Sequence, residues 1–176
     1  MSVLIPLTDG FSHIELASVV EILRKAGVNV QLAGLVSTIV ESEERLKIIT
    51  SKRLTDININ DYNILVLVGG LQYKRFLKSS EIKNIIRIFI KNKKIVAALS
   101  QSAVVPASLG LLDDRVATVY PGLEKNIPKL REGKVIIDKN IITTHGPLCA
   151  PVFAIKLVEI LKGKNEAEKI KKILVI

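Results

Sequence analysis

The sequence predicts an α/β fold, a three-layer sandwich with helices on both faces of a mainly parallel sheet. Three observations lead there. Residues 2–7, 62–68 and 94–99 are predominantly apolar runs, the pattern of strands buried on both faces. Residues 14–26 and 80–91 repeat their apolar positions at helical spacing. The first run, the first periodic segment and the alternating stretch 28–32 follow one another within the length of a parallel crossover unit. Composition agrees: hydrophobic residues make up 48% of the chain, aromatics 4%, and Trp is absent, so branched aliphatics must fill the core. A chain of 176 residues is expected to form one domain, residues 1–176, around one core.

Each element has its own punctuation. The first strand ends at Thr8-Asp9-Gly10, a turn signal. In 14–26, Ile14, Ala17, Val20 and Leu23 share a helical face and Gly27 is the stop. Residues 38–40 and 47–50 are short β-like pieces around the charged 41–45, which predicts an edge hairpin. The run 62–68 closes on Gly69-Gly70, the form of a central strand that feeds a ligand-facing loop. Ile82, Ile85, Ile86 and Phe89 line the 80–91 helix, which Ser79 or Ser80 can cap. Strand 94–99 passes directly into Ser100. A helix over 101–109 should follow, kinked or shortened by Pro106 and stopped by Gly110. Residues 115–119 read as a short strand ended by Tyr120-Pro121-Gly122, and 134–138 and 141–144 flank a hairpin turn at Lys139-Asn140. After His145-Gly146-Pro147 come an apolar helix over 148–161 and a short closing helix over 166–172.

Bulk properties narrow the function. The single cysteine permits no intrachain disulfide, which fits a reducing compartment. Residues 1–7 carry no basic leader and read as a strand rather than a signal peptide. No stretch reaches the ~18 uninterrupted apolar residues of a membrane span. A cytoplasmic protein with no membrane partner is therefore expected. The net charge is +9, but the lysines at 91–94, 125–134 and 162–172 interleave with Ile, Leu, Glu or Asn as on solvated helix faces. Without an aromatic stacking set, a zinc pattern or a helix-turn-helix signature, no specific nucleic-acid partner is expected. No metal or cofactor is implied.

Ligands of such sheets bind beyond the C-terminal ends of the strands. Here those ends are residues 9–15, Gly69-Gly70, Ser100-Gln101 and Tyr120. The turn at Ser100 is the sharpest. A strand that enters a helix through one residue pushes that side chain outward on a strained backbone, and small neighbours must flank it. Ala97-Ala98-Leu99-Ser100-Gln101-Ser102-Ala103 fits such a nucleophile elbow, although the glycine-flanked serine-hydrolase form is absent.

Taken together, these segments resemble the ThiJ/PfpI superfamily, the class I glutamine amidotransferase-like group that holds the Parkinson-associated deglycase and the archaeal intracellular proteases. The resemblance rests on Val3-Leu4-Ile5-Pro6 through Gly10-Phe11 to Glu15, on Leu23-Arg24-Lys25-Ala26-Gly27, and on Leu67-Val68-Gly69-Gly70. Val96-Ala97-Ala98-Leu99, Gly110-Leu111-Leu112 and Ala117-Thr118-Val119-Tyr120-Pro121-Gly122 complete it. Each motif alone is weak, but their order and spacing are specific. The implied fold is flavodoxin-like. The resemblance also implies that Ser100 stands at the position of the family's catalytic cysteine and that Glu15 is the protonated carboxyl that hydrogen-bonds it. Gly69, Gly70, Gln101 and Tyr120 would border the ligand, with the N–H groups of Gly70 and Gln101 as oxyanion-type donors. It further implies a homodimer, with Arg45 near the partner's pocket.

The serine changes the chemistry. A thiol with a pKa of about 8.5 can be ionised by an electropositive turn. A hydroxyl needs a general base within about 3 Å. Two readings follow. In the first, the chain is a pseudoenzyme: it has lost the cysteine chemistry and is a small-ligand-binding homodimer whose pocket suits anionic or carbonyl ligands. In the second it is an active hydrolase or a glyoxalase/deglycase-like enzyme that uses Ser100 with His145 or His13 as base. Ser100 could also be an engineered replacement, though Gln101 and Ser102 depart from the family turn as well. Cys149, among Leu148, Ala150 and Phe153, reads as a small core residue.

Overall fold

The computed structural model describes residues 2–175. Strand β1 (Ser2–Leu7), helix α1 (His13–Lys25) and strand β2 (Asn29–Gly34) form the first crossover, with β1 and β2 parallel from Ser2↔Asn29 to Leu7↔Gly34. Next come β3 (Ile39–Glu41), β4 (Lys47–Ile49), β5 (Lys52–Arg53), β6 (Ile64–Leu67), α2 (Tyr73–Lys78), α3 (Ser80–Lys91), β7 (Ile95–Ala98) and α4 (Val104–Ala107). The chain continues through β8 (Val116–Ala117), β9 (Lys129–Leu130), β10 (Val135–Asp138), β11 (Ile141–Thr144), α5 (Ala150–Lys162) and α6 (Lys164–Leu174). The main sheet runs β10-β11-β7-β6-β1-β2-β5, and only the β10–β11 pair is antiparallel.

Strand alternation divides the core into two layers. Val3, Ile5 and Leu7 of β1, Ile64 and Val66 of β6, and Ala97 of β7 face the layer of α1, α5 and α6. Leu4, Leu65, Leu67, Val96 and Ala98 face the opposite layer, with Phe76, Ile82, Ile86 and Phe89. All are fully buried, which is why these strands read as continuous apolar runs. The chain places β2 on one side of β1, then β6 and β7 on the other. The carboxyl ends of β1 and β6 therefore flank the switch point where such sheets open a crevice.

Three expectations need correction. No helix spans 101–109: a 3-10 turn over Ser100–Ala103 leads into α4, which is only Val104–Ala107. Pro106 has no N–H to offer the Ser102 carbonyl, and its ring crowds that carbonyl, so a regular helix cannot pass through. The predicted hairpin forms as β3–β4, but as a separate two-stranded sheet, while β5 supplies the main sheet's edge. The hairpin leans on the loop after β1 through Gly10 N–H to the Glu41 carbonyl (2.7 Å) and a Phe11↔Ser42 bridge. The 115–119 strand shrinks to β8, paired in parallel with β9 outside the main sheet. Helix α2 has no counterpart in the sequence reading.

Candidate functional site

The site collects the loops that leave β1, β6, β7 and β11. Ser100 follows β7 with φ of +49°, a left-handed backbone rarely adopted by a side-chain-bearing residue. Such a conformation costs on the order of 1–3 kcal/mol and persists only where its surroundings enforce it. Here they do. The Ser100 N–H donates to Thr144 Oγ1 at 3.1 Å, and its hydroxyl donates to Glu15 Oε1. Ser102 Oγ donates to the Val68 carbonyl at 2.8 Å and ties the turn to the end of β6.

Glu15 lies in the first turn of α1 and is fully buried. Its second oxygen, Oε2, accepts the Gly69 N–H at 2.5 Å. Burial pushes its carboxyl above the usual carboxylate range; the bonds from Ser100 and Gly69 pull it back in part, and the negative Glu43 adds to the rise. Among the described residues no lysine, arginine or histidine forms an ion pair with it. Burial thus works against the charged form of this carboxyl. Both carboxyl oxygens are engaged as acceptors, Oε1 from the Ser100 hydroxyl and Oε2 from the Gly69 N–H.

The glycine pair is demanded by close approach. A Cβ on Gly69 would fall 2.7 Å from Gln101 Oε1 and 2.8 Å from Glu15 Oε2. On Gly70, at φ +92°, it would fall 2.5 Å from the Gly10 carbonyl oxygen. This loop is pinned by Ser12 N–H to the Gly69 carbonyl (3.0 Å) and Gln72 N–H to the Gly10 carbonyl (2.9 Å). The buried Gln72 side chain stitches the ends of β1 and β6, accepting from Thr8 N–H at 3.0 Å and donating to the Val68 carbonyl at 2.8 Å. Glu43, from the hairpin, accepts the Leu71 N–H at 2.6 Å.

Ser100, Glu15, Gly69, Gly70 and Gln101 therefore converge. The two expected oxyanion-type donors differ in state. The Gly70 N–H is engaged by Gln101 Oε1 at 3.1 Å. The Gln101 N–H lies at the start of the 3-10 turn, where such groups lack a partner within the turn. The histidines are not drawn in: among the described residues neither His13 nor His145 hydrogen-bonds Ser100, whose hydroxyl is turned to Glu15 instead. The expected serine–histidine dyad is not assembled. His145 is exposed and borders a separate depression with Thr118, Glu124 and Arg131. Tyr120 is 37% exposed. Cys149 is buried in the turn Pro147–Cys149.

Thr144, Gln72 and Glu43 were not legible as site residues. Thr144 did carry a signal, a polar residue closing an apolar strand just before His145-Gly146-Pro147. Glu43 sat beside two other glutamates, Glu41 and Glu44, with nothing to single it out.

Chemically, a serine can attack only if a base removes its proton. Its bonded partner is a buried carboxyl with a raised pKa, which accepts from the hydroxyl and is disfavoured as an anion. The geometry gathers N–H and O–H groups around a buried elbow, the kind of donor set that suits an oxygen-bearing ligand.

The chain matches the DJ-1/PfpI family over residues 1–160. It belongs to that family. The solved structure of oxidized DJ-1 from Toxoplasma gondii superposes with a TM-score of 0.93 at 29% identity, covering 99% of this chain and 97% of that one. Protein DJ-1 homolog B of Arabidopsis thaliana is 28% identical over 97% of this chain and 40% of its own length. The glutathione-independent glyoxalase DJR-1.2 of Caenorhabditis elegans is 24% identical over 97% of this chain and 92% of that protein. The chain thus spans less than half of the Arabidopsis relative and nearly all of the nematode one. The flavodoxin-like sheet is the DJ-1/PfpI fold, and no helix among the described residues is long and apolar enough to cross a membrane.

Proposed function

We propose that this DJ-1/PfpI protein is a binding member of its family, without the cysteine-type chemistry, whose crevice at Ser100 takes a small anionic or carbonyl ligand. One observation carries the reading: the elbow residue is a serine whose hydroxyl is bonded to a buried carboxyl with a raised pKa, not to an imidazole. Such a pair holds a ligand oxygen well and generates an alkoxide poorly. Ligand recognition would come from the Gly70 and Gln101 backbone N–H groups and the Glu15 acid. A homodimer is part of the proposal, supported by the exposed apolar Ile14 on α1 and Leu148 beside α5, two helices that pack together.

The test is turnover of a nitrophenyl ester, a 2-oxoaldehyde and a peptide by wild type and Ser100→Ala. No difference between the two, at the level of the uncatalysed reaction, is expected. Turnover that Ser100→Ala abolishes would overturn the proposal. It would favour the glyoxalase-like reading, which the nematode relative's name makes the natural competitor. In that case Glu15 is the base, because it already accepts the Ser100 proton, and the rate should climb as pH rises through its elevated pKa.

A further inference from the structure

We propose that the Gln101 carboxamide is a built-in cap on this crevice. It occupies the Gly70 N–H that a ligand oxygen needs, so that only ligands bringing a competing acceptor are admitted. The inference rests on the ligand-binding reading above and deepens it.

The geometry is specific. Gln101 Oε1 accepts the Gly70 N–H at 3.1 Å, across 31 residues of sequence. That same oxygen lies 2.7 Å from the point where a Gly69 Cβ would sit, and the two Glu15 carboxyl oxygens lie 2.8 and 3.0 Å from it. The amide oxygen and the Glu15 carboxyl therefore share one face of Gly69. Ser100 and Glu15 have no exposed surface, while Gln101 is half-buried. The half-buried side chain thus folds back from the elbow and spans to the glycine loop above a closed acid–hydroxyl pair. The carboxamide already stands where a bound ligand's oxygen would stand.

The contact is built to yield. The glycine loop is pinned independently by Ser12, Gln72 and Glu43, and the turn by Thr144 and Ser102. Gln101 adds one neutral hydrogen bond and must immobilise a long side chain to make it, so the net stabilisation is small. A ligand must wait for the open fraction, and its apparent affinity falls by that fraction. The cap also sets the ligand's chemistry. A carboxylate or carbonyl can replace the amide oxygen at Gly70 and accept from the Gln101 N–H as well; an amine or a purely apolar molecule can do neither. An anion is tolerated beside Glu15 only while that acid is neutral.

The experiment is an amide-resolved NMR titration of the full chain with acetate and with glyoxylate, under mildly acidic conditions, on wild type, Gln101→Ala and Gln101→Asn. The asparagine is one methylene too short to reach Gly70 but keeps the polarity. In both ligand-free variants the Gly70 amide resonance should move upfield and exchange faster. Acetate should then bind both variants about three- to tenfold more tightly than wild type, the worth of one displaced hydrogen bond. If the Gly70 amide is unchanged in the variants, the cap does not exist. If it changes but acetate binds no tighter than to wild type, the contact is not a cap. Either result, with acetate still perturbing Gly70 in wild type, overturns this proposal alone. If neither probe perturbs Gly70 in any of the three proteins, the ligand-binding reading fails and the cap falls with it.

Discussion

Ser100 and Cys149 both follow buried strands of one sheet, and both lie in a 3-10 turn that leads into a helix, Ser100 between β7 and α4 and Cys149 between β11 and α5. Their surroundings differ. Ser100 has φ of +49°, is fully buried, and is bonded to Thr144 through its N–H and to Glu15 through its hydroxyl. Cys149 has an ordinary φ of −84° and, among the described residues, no hydrogen bond to its sulfur. The chain's one thiol is buried at the start of α5, without a polar partner among the described residues. The strained, polar elbow holds a hydroxyl bonded to a buried carboxyl. The contrast separates what the place contributes to reactivity from what the residue type contributes.

The sharpest way to probe that contrast is to move the thiol. Ser100→Cys should be oxidised by dilute hydrogen peroxide at the elbow at least ~10-fold faster than Cys149, followed by mass spectrometry of the two cysteine-bearing peptides. Equal rates would mean that the elbow confers no activation. The expected gain is moderate because α4 has only one turn and contributes little dipole.

Next in size is the loss of the acid. Glu15→Ala leaves the Gly69 N–H and the Ser100 hydroxyl buried without a partner. It should cost about 2–4 kcal/mol in denaturant unfolding. Glu15→Gln can still accept from Gly69 and donate to Ser100, and should cost less than about 1 kcal/mol. The same pair of proteins tests the protonation state. Because Glu15 is raised in the folded chain above its ordinary value of 4.5, its contribution to stability is full below that value. It is then lost as pH rises through the elevated pKa. Glu15→Gln should flatten that decline, and an identical slope in both proteins would refute the raised pKa. The smallest effect belongs to the other side of the comparison. Cys149→Ala should shift stability by about 1 kcal/mol or less and leave the Glu15-dependent slope untouched.

Much of the fold was legible because its signals are local. The apolar runs of β1, β6 and β7 and the spacing of Ile82, Ile85, Ile86 and Phe89 encode burial directly. The Ser79 cap is equally local, its hydroxyl accepting the Ile82 N–H at 3.2 Å. The elements that escaped are short or irregular. Helix α2 is only six residues long, and β5 is a two-residue edge strand held by pairing with β2 rather than by pattern. The site followed the same division. Ser100 announced itself by standing between a buried strand and a turn. The segments of Glu15, Gly70 and Gln101 were placed by topology at the strand ends and their roles came through resemblance, while Thr144, Gln72 and Glu43 entered only through their hydrogen bonds.

The sequence by itself determined which runs form the buried strands, where those strands turn and that a hydroxyl stands at the elbow, since each follows from the residue types within a few positions. It misplaced the buried face of α1, which is Leu16, Val19, Ile22 and Leu23 rather than Ile14, Ala17 and Val20. Only the tertiary structure decided what that hydroxyl faces. Glu15 lies 85 residues from Ser100, and the choice between it and a histidine depends on side-chain directions set by the packing of α1 against the sheet. The same holds for the Gln101 carboxamide, whose place on Gly70 depends on two loops meeting at a switch point. A hydrogen bond needs a partner within about 3 Å, and sequence spacing cannot specify distance between segments that only folding brings together.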